Sequence, residues 1–298
     1  MSIDFTKLFG GGGAVLGPTL STNFFVSRTW TAPQDGIVIV RGMGAGGGAA
    51  NQGTGGYSGS WGVKILRVKK GDTIDVTIGA GGVGGTKAVK NGGAGGDTII
   101  TINGVQYIAY GGLGGVVGAA APLPNGPAPS ANWDFGAASV KPGWLVGRST
   151  GGAGVDILAQ GNNATTSESS NCSGGGGTGG PSAGQNGGGA MPGGKSALGT
   201  GPAGPGITFD ASQGEWGISF YGGSGASSNN GAGGNGGGGG WNGHPGGNGG
   251  GGGSSASSRN GGAGGIGGGG GATDYSDNTS GPGGQGFAHL KFFADMGV

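Results

Sequence analysis

The sequence predicts an all-β protein, a small β-sandwich or jelly-roll joined to a bundle of polyglycine type II helices. Three observations predict it. Of 298 residues, 91 are glycine. Charged residues make up 9% and hydrophobic residues 33%, against about 25% and about 45–50% in an ordinary soluble domain, so a conventional core cannot fill the chain. The apolar residues that are present gather in short runs with a two-residue period, and none shows the helical period.

The strand signals begin at residue 23, after a short head over residues 1–22. Phe24, Val26 and Trp30 alternate with Phe25, Ser27 and Thr29. Pro33 and Gly36 mark a turn before the continuous apolar run Ile37-Val38-Ile39-Val40, the pattern of a central strand. Val63–Val68 is the next strand, and Lys70-Gly71-Asp72 turns it into one where Ile74, Val76 and Ile78 share a face. Thr98–Ile102 and Val105–Tyr110 flank Asn103-Gly104, a hairpin signal because both turn positions favour positive φ. Phe287–Phe293 is a last strand, with Ala288, Leu290 and Phe292 on one face. We expect it to return beside Ile37–Val40. The expected division is thus an attachment segment (1–22), a β-sandwich domain (23–110 with 286–298) and a glycine-rich domain (111–285).

Charge and residue types exclude several functions. The net charge is +1, which gives no nucleic-acid footprint. Residues 111–285 carry 4 Lys+Arg and 7 Asp+Glu, a balance of −3, and the remainder carries 10 and 6, a balance of +4. Cys172 is the single cysteine and the histidines are His244 and His289, so no intramolecular disulfide and no Cys/His metal cage is expected. No apolar stretch is long enough for a membrane span, and Met1–Gly10 lacks the basic and apolar regions of a signal peptide.

Glycine loses the most backbone freedom on ordering, and residues 222–271 hold 28 glycines in 50 positions with Arg259 as their one charge. A flexible linker is one reading of such a tract. The other is a set of polyglycine type II helices, extended and left-handed with three residues per turn, whose N–H and C=O groups pair between neighbours. The sequence favours the second. Glycine runs such as Gly236–Gly240, Gly249–Gly253 and Gly267–Gly271 are separated by non-repetitive inserts rather than monotonous Gly/Ser. Collagen is disfavoured, because no Gly-X-Y period is kept. Residues 111–285 as a whole carry nine aromatics, among them Trp133, Trp216, Phe220, Tyr221, Trp241 and Tyr275, serving as covers for the bundle edge or as exposed contacts.

Trp30-Thr31-Ala32-Pro33 followed by Gly36, a strand and Gly42–Gly48 resembles the opening of glycine-rich phage tail proteins. Lys69-Lys70-Gly71-Asp72, then Val76-Thr77-Ile78-Gly79-Ala80-Gly81-Gly82, Gly95-Gly96-Asp97-Thr98 and Gly283-Gly284-Gln285-Gly286-Phe287 extend the likeness. The long glycine tract resembles the adhesin tips of T-even-type long tail fibres. The attachment domain differs from theirs, and their loops do not map residue by residue. The resemblance implies a virion protein of the tail tip, made in the bacterial cytoplasm, that recognises a host surface protein, glycan or pilus. It implies docking to other tail proteins through the N-terminal segment, as a single copy or a homotrimer.

Trp and Tyr offer large contact area at low entropy cost. The candidate receptor-contacting residues are therefore Trp216, Phe220, Tyr221, Trp241, Asn242, His244 and Tyr275, with His244 equally readable as a loop residue satisfied by backbone carbonyls. Ile3, Phe5, Leu8 and Phe9 are the candidate docking patch. No enzyme, cofactor or metal is expected. Gly42–Gly47 matches a dinucleotide-binding fingerprint and Gly189–Ser196 a phosphate loop, but neither shows the strand–turn–helix context those motifs need. Asp274 and Asp277 alone are thin support for calcium. A structural or ice-binding polyglycine protein is the alternative function.

Overall fold

The computed structural model describes residues 16–118, 126–139, 142, 243–253, 255 and 259–295. These residues are all-β, with no helix. The strands are β1 (Leu16–Phe24), β2 (Arg28–Thr31), β3 (Gly36–Met43), β4 (Trp61–Val68), β5 (Thr73–Thr77), β6 (Thr98–Ile102), β7 (Val105–Ala109), β8 (Phe135–Ala137) and β9 (Phe287–Asp295). They form two antiparallel sheets, ordered β1-β9-β3-β4-β8 and β2-β5-β6-β7. Strand β9 inserts between β1 and β3, with Val40 opposite Leu290, as the apolar pattern of Phe287–Phe293 predicted. Asn103 and Gly104 both take positive φ, at 50° and 77°, in the turn between β6 and β7.

The sheets share one core. Val38 and Val40 of β3 and Leu290 and Phe292 of β9 pack with Ile74, Val76, Ile100 and Ile102 of the second sheet, an arrangement compatible with a sandwich. Trp133 closes one margin. Its ring fills the space a side chain would need at Gly62 and Gly42, and its Nε1 donates to the Ile108 carbonyl at 3.0 Å. Trp133 thus belongs to the core between the sheets rather than to the edge of the glycine-rich segments.

Two strands were not legible. Residues 16–22, assigned to the head, belong to β1, and the alternation read through residues 24–30 is split between β1 and β2, which lie in different sheets. The stretch Leu16-Gly17-Pro18-Thr19-Leu20-Ser21-Thr22-Asn23 has no two-residue apolar period. It forms an edge strand with a register irregularity between Leu16 and Thr19, where proline is tolerated. Strand β8 has three residues, too few to show a period.

Glycine-rich segments leave the sheets and pack side by side. Each attaches to a strand where β3 ends (44–51), before β4 (53–60), after β5 (79–86), before β6 (90–97), after β7 (110–117) or before β9 (278–286). The described remainder adds 243–248, 250–253 with Ser255, 259–266 and 268–274. The N–H groups of Gly44, Gly47 and Ala50 donate to Ser60, Tyr57 and Thr54; those of Ala45, Gly48 and Asn51 to Gly96, Gly93 and Lys90; those of Gly46 and Ala49 to Gly284 and Gly281. Successive residues thus address three neighbours in rotation, and the pattern repeats every third residue. Carbonyls of the same segment accept from Gly82 and Gly85, from Gly112 and Gly115, and from Gly270. Segment 44–51 consequently has six neighbours, three receiving its N–H groups and three donating to its carbonyls.

The same bonds arrange the segments in three rows. The middle row runs 90–97, 44–51, 268–274, then 250–253 with Ser255. One flank runs 79–86, 278–286, 259–266, 243–248, and the other holds 110–117 and 53–60. Residues 44–50 and 268–272 are all buried and contain only glycine and alanine. In segments 79–86, 90–97, 110–117 and 278–286 every third residue carries a side chain facing out: Ala80 and Val83, Asn91, Ala94 and Asp97, Leu113 and Val116, Pro282 and Gln285, whereas Thr54, Tyr57 and Ser60 of 53–60 are buried. Glycine segments within 23–110 and within 111–285 are therefore hydrogen-bonded into one lattice, across the composition boundary drawn at residue 110.

A Cβ at Gly46 would fall on the Gly268 carbonyl oxygen, and one at Gly283 on that of Gly46. Gly46→Ala should therefore cost about 3 kcal/mol or more, because backbone rather than a side chain must move. Val83→Ser, at a position 72% exposed, should change stability by less than about 0.5 kcal/mol. Urea unfolding of the two variants checks the contrast.

Candidate functional site

The connectivity gives the lattice a polarity. Since six segments join strands at one end, their other ends lie together away from the sheets. That distal end carries Asn51 and Gln52, residues 86–90, Val117 and Gly118, Ser255, Arg259 and residues 273–279. The described chain enters β1 at Leu16 and leaves β9 at Asp295, which face each other across the β1–β9 ladder. Both lie at the far end of the sheets from Met43, Trp61 and Phe287, where the lattice begins.

Two candidate contact residues are described, and both lie at this distal end. Tyr275 is 46% exposed, at the crown of the 273–279 loop. His244 is half-buried in the segment starting at Gly243. Its carbonyl accepts from Gly253 N–H at 2.9 Å, while its Nε2 is buried without a hydrogen-bond partner among the described residues. Segment 259–266 separates the two, so they form no single cluster. Trp216, Phe220, Tyr221, Trp241 and Asn242 lie outside the described residues, as do Ile3, Phe5, Leu8 and Phe9.

The structure adds residues to the tip that sequence reading passed over. Asn51, fully buried, directs Nδ2 at the carbonyls of Tyr275, Ser276 and Asn278. Gln52 holds φ at 56° and its Nε2 donates to Asp274 O at 3.3 Å. Lys87 and Asp277 pair at 2.6 Å across two loops, and the bond raises the Lys87 ammonium above its usual range. Both partners are mostly exposed, so the pair adds little stability; it does engage Asp277, one of the two carboxylates considered for a cation. Among the described residues no group of three or more His, Cys, Asp or Glu side chains could hold a metal. Val89, Val116 and Val117 complete the tip as exposed apolar groups, at 68%, 42% and 40%. The punctuation Thr86-Lys87-Ala88-Val89-Lys90 between glycine runs was the available signal for these loops.

A second polar cluster lies in the first sheet. His289, 1% exposed, contacts Ser21 Oγ through Nε2 at 2.8 Å and Arg41 Nη1 through Nδ1 at 3.2 Å. The serine–histidine contact superficially suggests a nucleophile and base. Arginine has only donors, so Nδ1 must accept and Nε2 must carry the proton. That tautomer donates to Ser21 and cannot take its proton, the reverse of what an activated serine requires. Likewise, no helix follows Gly42–Gly47; residues 44–50 run on as a lattice segment, with no helix N-terminus to receive a phosphate. Gly189–Ser196 lies outside the described residues.

No protein-family model matches the chain, and a search of curated proteins finds no match. No described helix is long and apolar enough to cross a membrane.

Burial, with the charges of Arg41 and Lys291, pushes His289 from 6.5 down to about 3. The unfolded chain therefore takes up a proton that the folded chain refuses, and stability falls as pH drops from 6.5 towards 3. Between pH 6.5 and 5, ahead of most carboxylate titration, the loss should reach up to about 2 kcal/mol. His289→Gln should flatten this limb in thermal melts; equal slopes in parent and variant would contradict the assignment.

Proposed function

We propose that the chain is a receptor-binding adhesin of a phage tail tip, and that its glycine-rich segments are polyglycine type II helices that present the distal loops to a bacterial surface molecule. The third-residue repeat of hydrogen bonds supports the helical reading, since a helix of three residues per turn returns each N–H to the same neighbour after three residues. The observation that carries the functional reading is the molecule's polarity. Strand β1 begins and strand β9 ends together at one end of the sheets, which suits attachment to a larger assembly. The irregular aromatic, aliphatic and charged loops gather at the other, as recognition requires. Exposed tyrosine and aliphatic groups beside charges match the composition of a contact surface, and loops held on a rigid scaffold are where binding residues concentrate.

The polyglycine alternative, a structural or ice-binding protein, calls for a flat face of regularly spaced Thr or Ala. The outward positions Ala80, Val83, Thr86, Thr279, Pro282 and Gln285 differ in size and polarity and offer no such array.

Labelled, purified protein incubated with a panel of bacterial strains should bind a subset of them. Tyr275→Ala should weaken that binding by tenfold or more, as befits an aromatic hot spot of about 1.4 kcal/mol or above. Binding to no strain, together with thermal hysteresis on freezing, would replace this reading with the alternative.

A further inference from the structure

The Asn51–Gln52 corner is built at a cost that the fold alone does not explain. It joins segments 44–51 and 53–60 at the distal end. Gln52 occupies the left-handed region at φ 56°, which is unfavourable for a residue with a Cβ. In a chain with 91 glycines, glycine at this turn would remove the strain. Asn51 is fully buried, and its Oδ1 has no hydrogen-bond partner among the described residues, an arrangement that is itself destabilising.

What both residues gain is the 273–279 loop. Asn51 Nδ2 sits among three of its carbonyls, those of Tyr275, Ser276 and Asn278. Gln52 donates from its backbone N–H to Thr273 O at 2.7 Å and from its side chain to Asp274 O at 3.3 Å. The loop thus wraps around an amide supplied by a different segment, 224 residues away from Tyr275 in sequence. Convergent carbonyls repel one another unless a donor lies between them. Removing that donor leaves the loop free to turn its oxygens to water.

We infer that Asn51 and Gln52 are positioning residues for the recognition tip: they accept local strain and an unpaired acceptor in order to hold the loop that carries Tyr275 in one shape. The receptor-facing role of that loop rests on the adhesin reading; its ordering by Asn51 and Gln52 does not. The arrangement matches a general feature of binding sites, where strain is kept because it preorganises a surface.

The test uses the full chain with Gln52→Gly and Asn51→Ala. Backbone 15N relaxation of residues 275–278 is compared with that of lattice residues Gly264, Gly271 and Gly281, alongside the melting temperature and binding to a strain that adsorbs the parent. Gln52→Gly should leave the melting temperature unchanged or raised, because strain is relieved, yet lower the loop order parameters from about 0.85 to below about 0.6 and weaken cell binding by tenfold or more. Asn51→Ala should loosen the same loop, and Gln52→Gly carries the test if Asn51→Ala fails to fold. Loop order equal to the parent's in Gln52→Gly would overturn the proposal. So would a loss of order shared equally by the lattice residues, which marks a purely structural corner. A loosened loop in a protein whose parent binds no strain would sink the adhesin reading and leave the positioning role standing.

Discussion

The architecture depends on how closely one peptide backbone can approach another when neither carries a side chain. At Gly46, Gly56 and Gly283 the site of a Cβ coincides with a carbonyl oxygen of the neighbouring segment. Only at that separation can the N–H groups of 44–51 reach three neighbours at 2.8–3.1 Å while its carbonyls serve three more. Every N–H from Gly44 to Asn51 is then paired, as burial of backbone demands. The lattice has almost no apolar side chains to hide, so its cohesion is hydrogen bonding and close backbone contact in place of an oily core.

This also explains why the sheets are necessary. A net stabilisation of about 1 kcal/mol per hydrogen bond is comparable to the roughly 1–2 kcal/mol needed to fix a residue, and glycine lies at the expensive end. An isolated pair of such segments would not hold. Here six of them start or stop at a strand whose position is set by the core around Val38, Ile74, Ile100 and Leu290. The conventional domain fixes spacing and direction, the lattice extends that order outward, and the loops inherit it at the far end. The Asn51 amide continues the same logic, using a buried donor to organise carbonyls that have run out of lattice partners.

Some of this was legible in the sequence. Ile37–Val40 announced itself because β3 is buried on both faces, and Ile74–Ile78 and the Asn103-Gly104 hairpin because one face of each strand meets the core. Phe287–Phe293 announced its return to the sheet for the same reason. The lattice was only partly legible. Asn91-Gly92-Gly93-Ala94-Gly95-Gly96-Asp97 and Tyr110-Gly111-Gly112-Leu113-Gly114-Gly115-Val116 do carry a three-residue period, one outward side chain after two inward glycines. Segment 44–50 shows none, because all six of its directions are occupied and nothing beyond alanine fits. Dividing the chain by glycine density at residue 110 concealed that these pieces pack together. The tip was the least legible part: Asn51 lies far from Tyr275 in sequence, and nothing local to either residue reports their contact.

Residue-resolved amide exchange tests the central claim most directly. If the lattice is as described, every amide from Gly44 to Asn51 is protected. Along the edge segment 90–97, Gly92, Gly93, Gly95 and Gly96 are protected while Ala94, exposed and facing outward, exchanges quickly, giving two slow amides for each fast one. Alternate protection with a period of two, or exchange at random-coil rates throughout 44–51, would contradict the account.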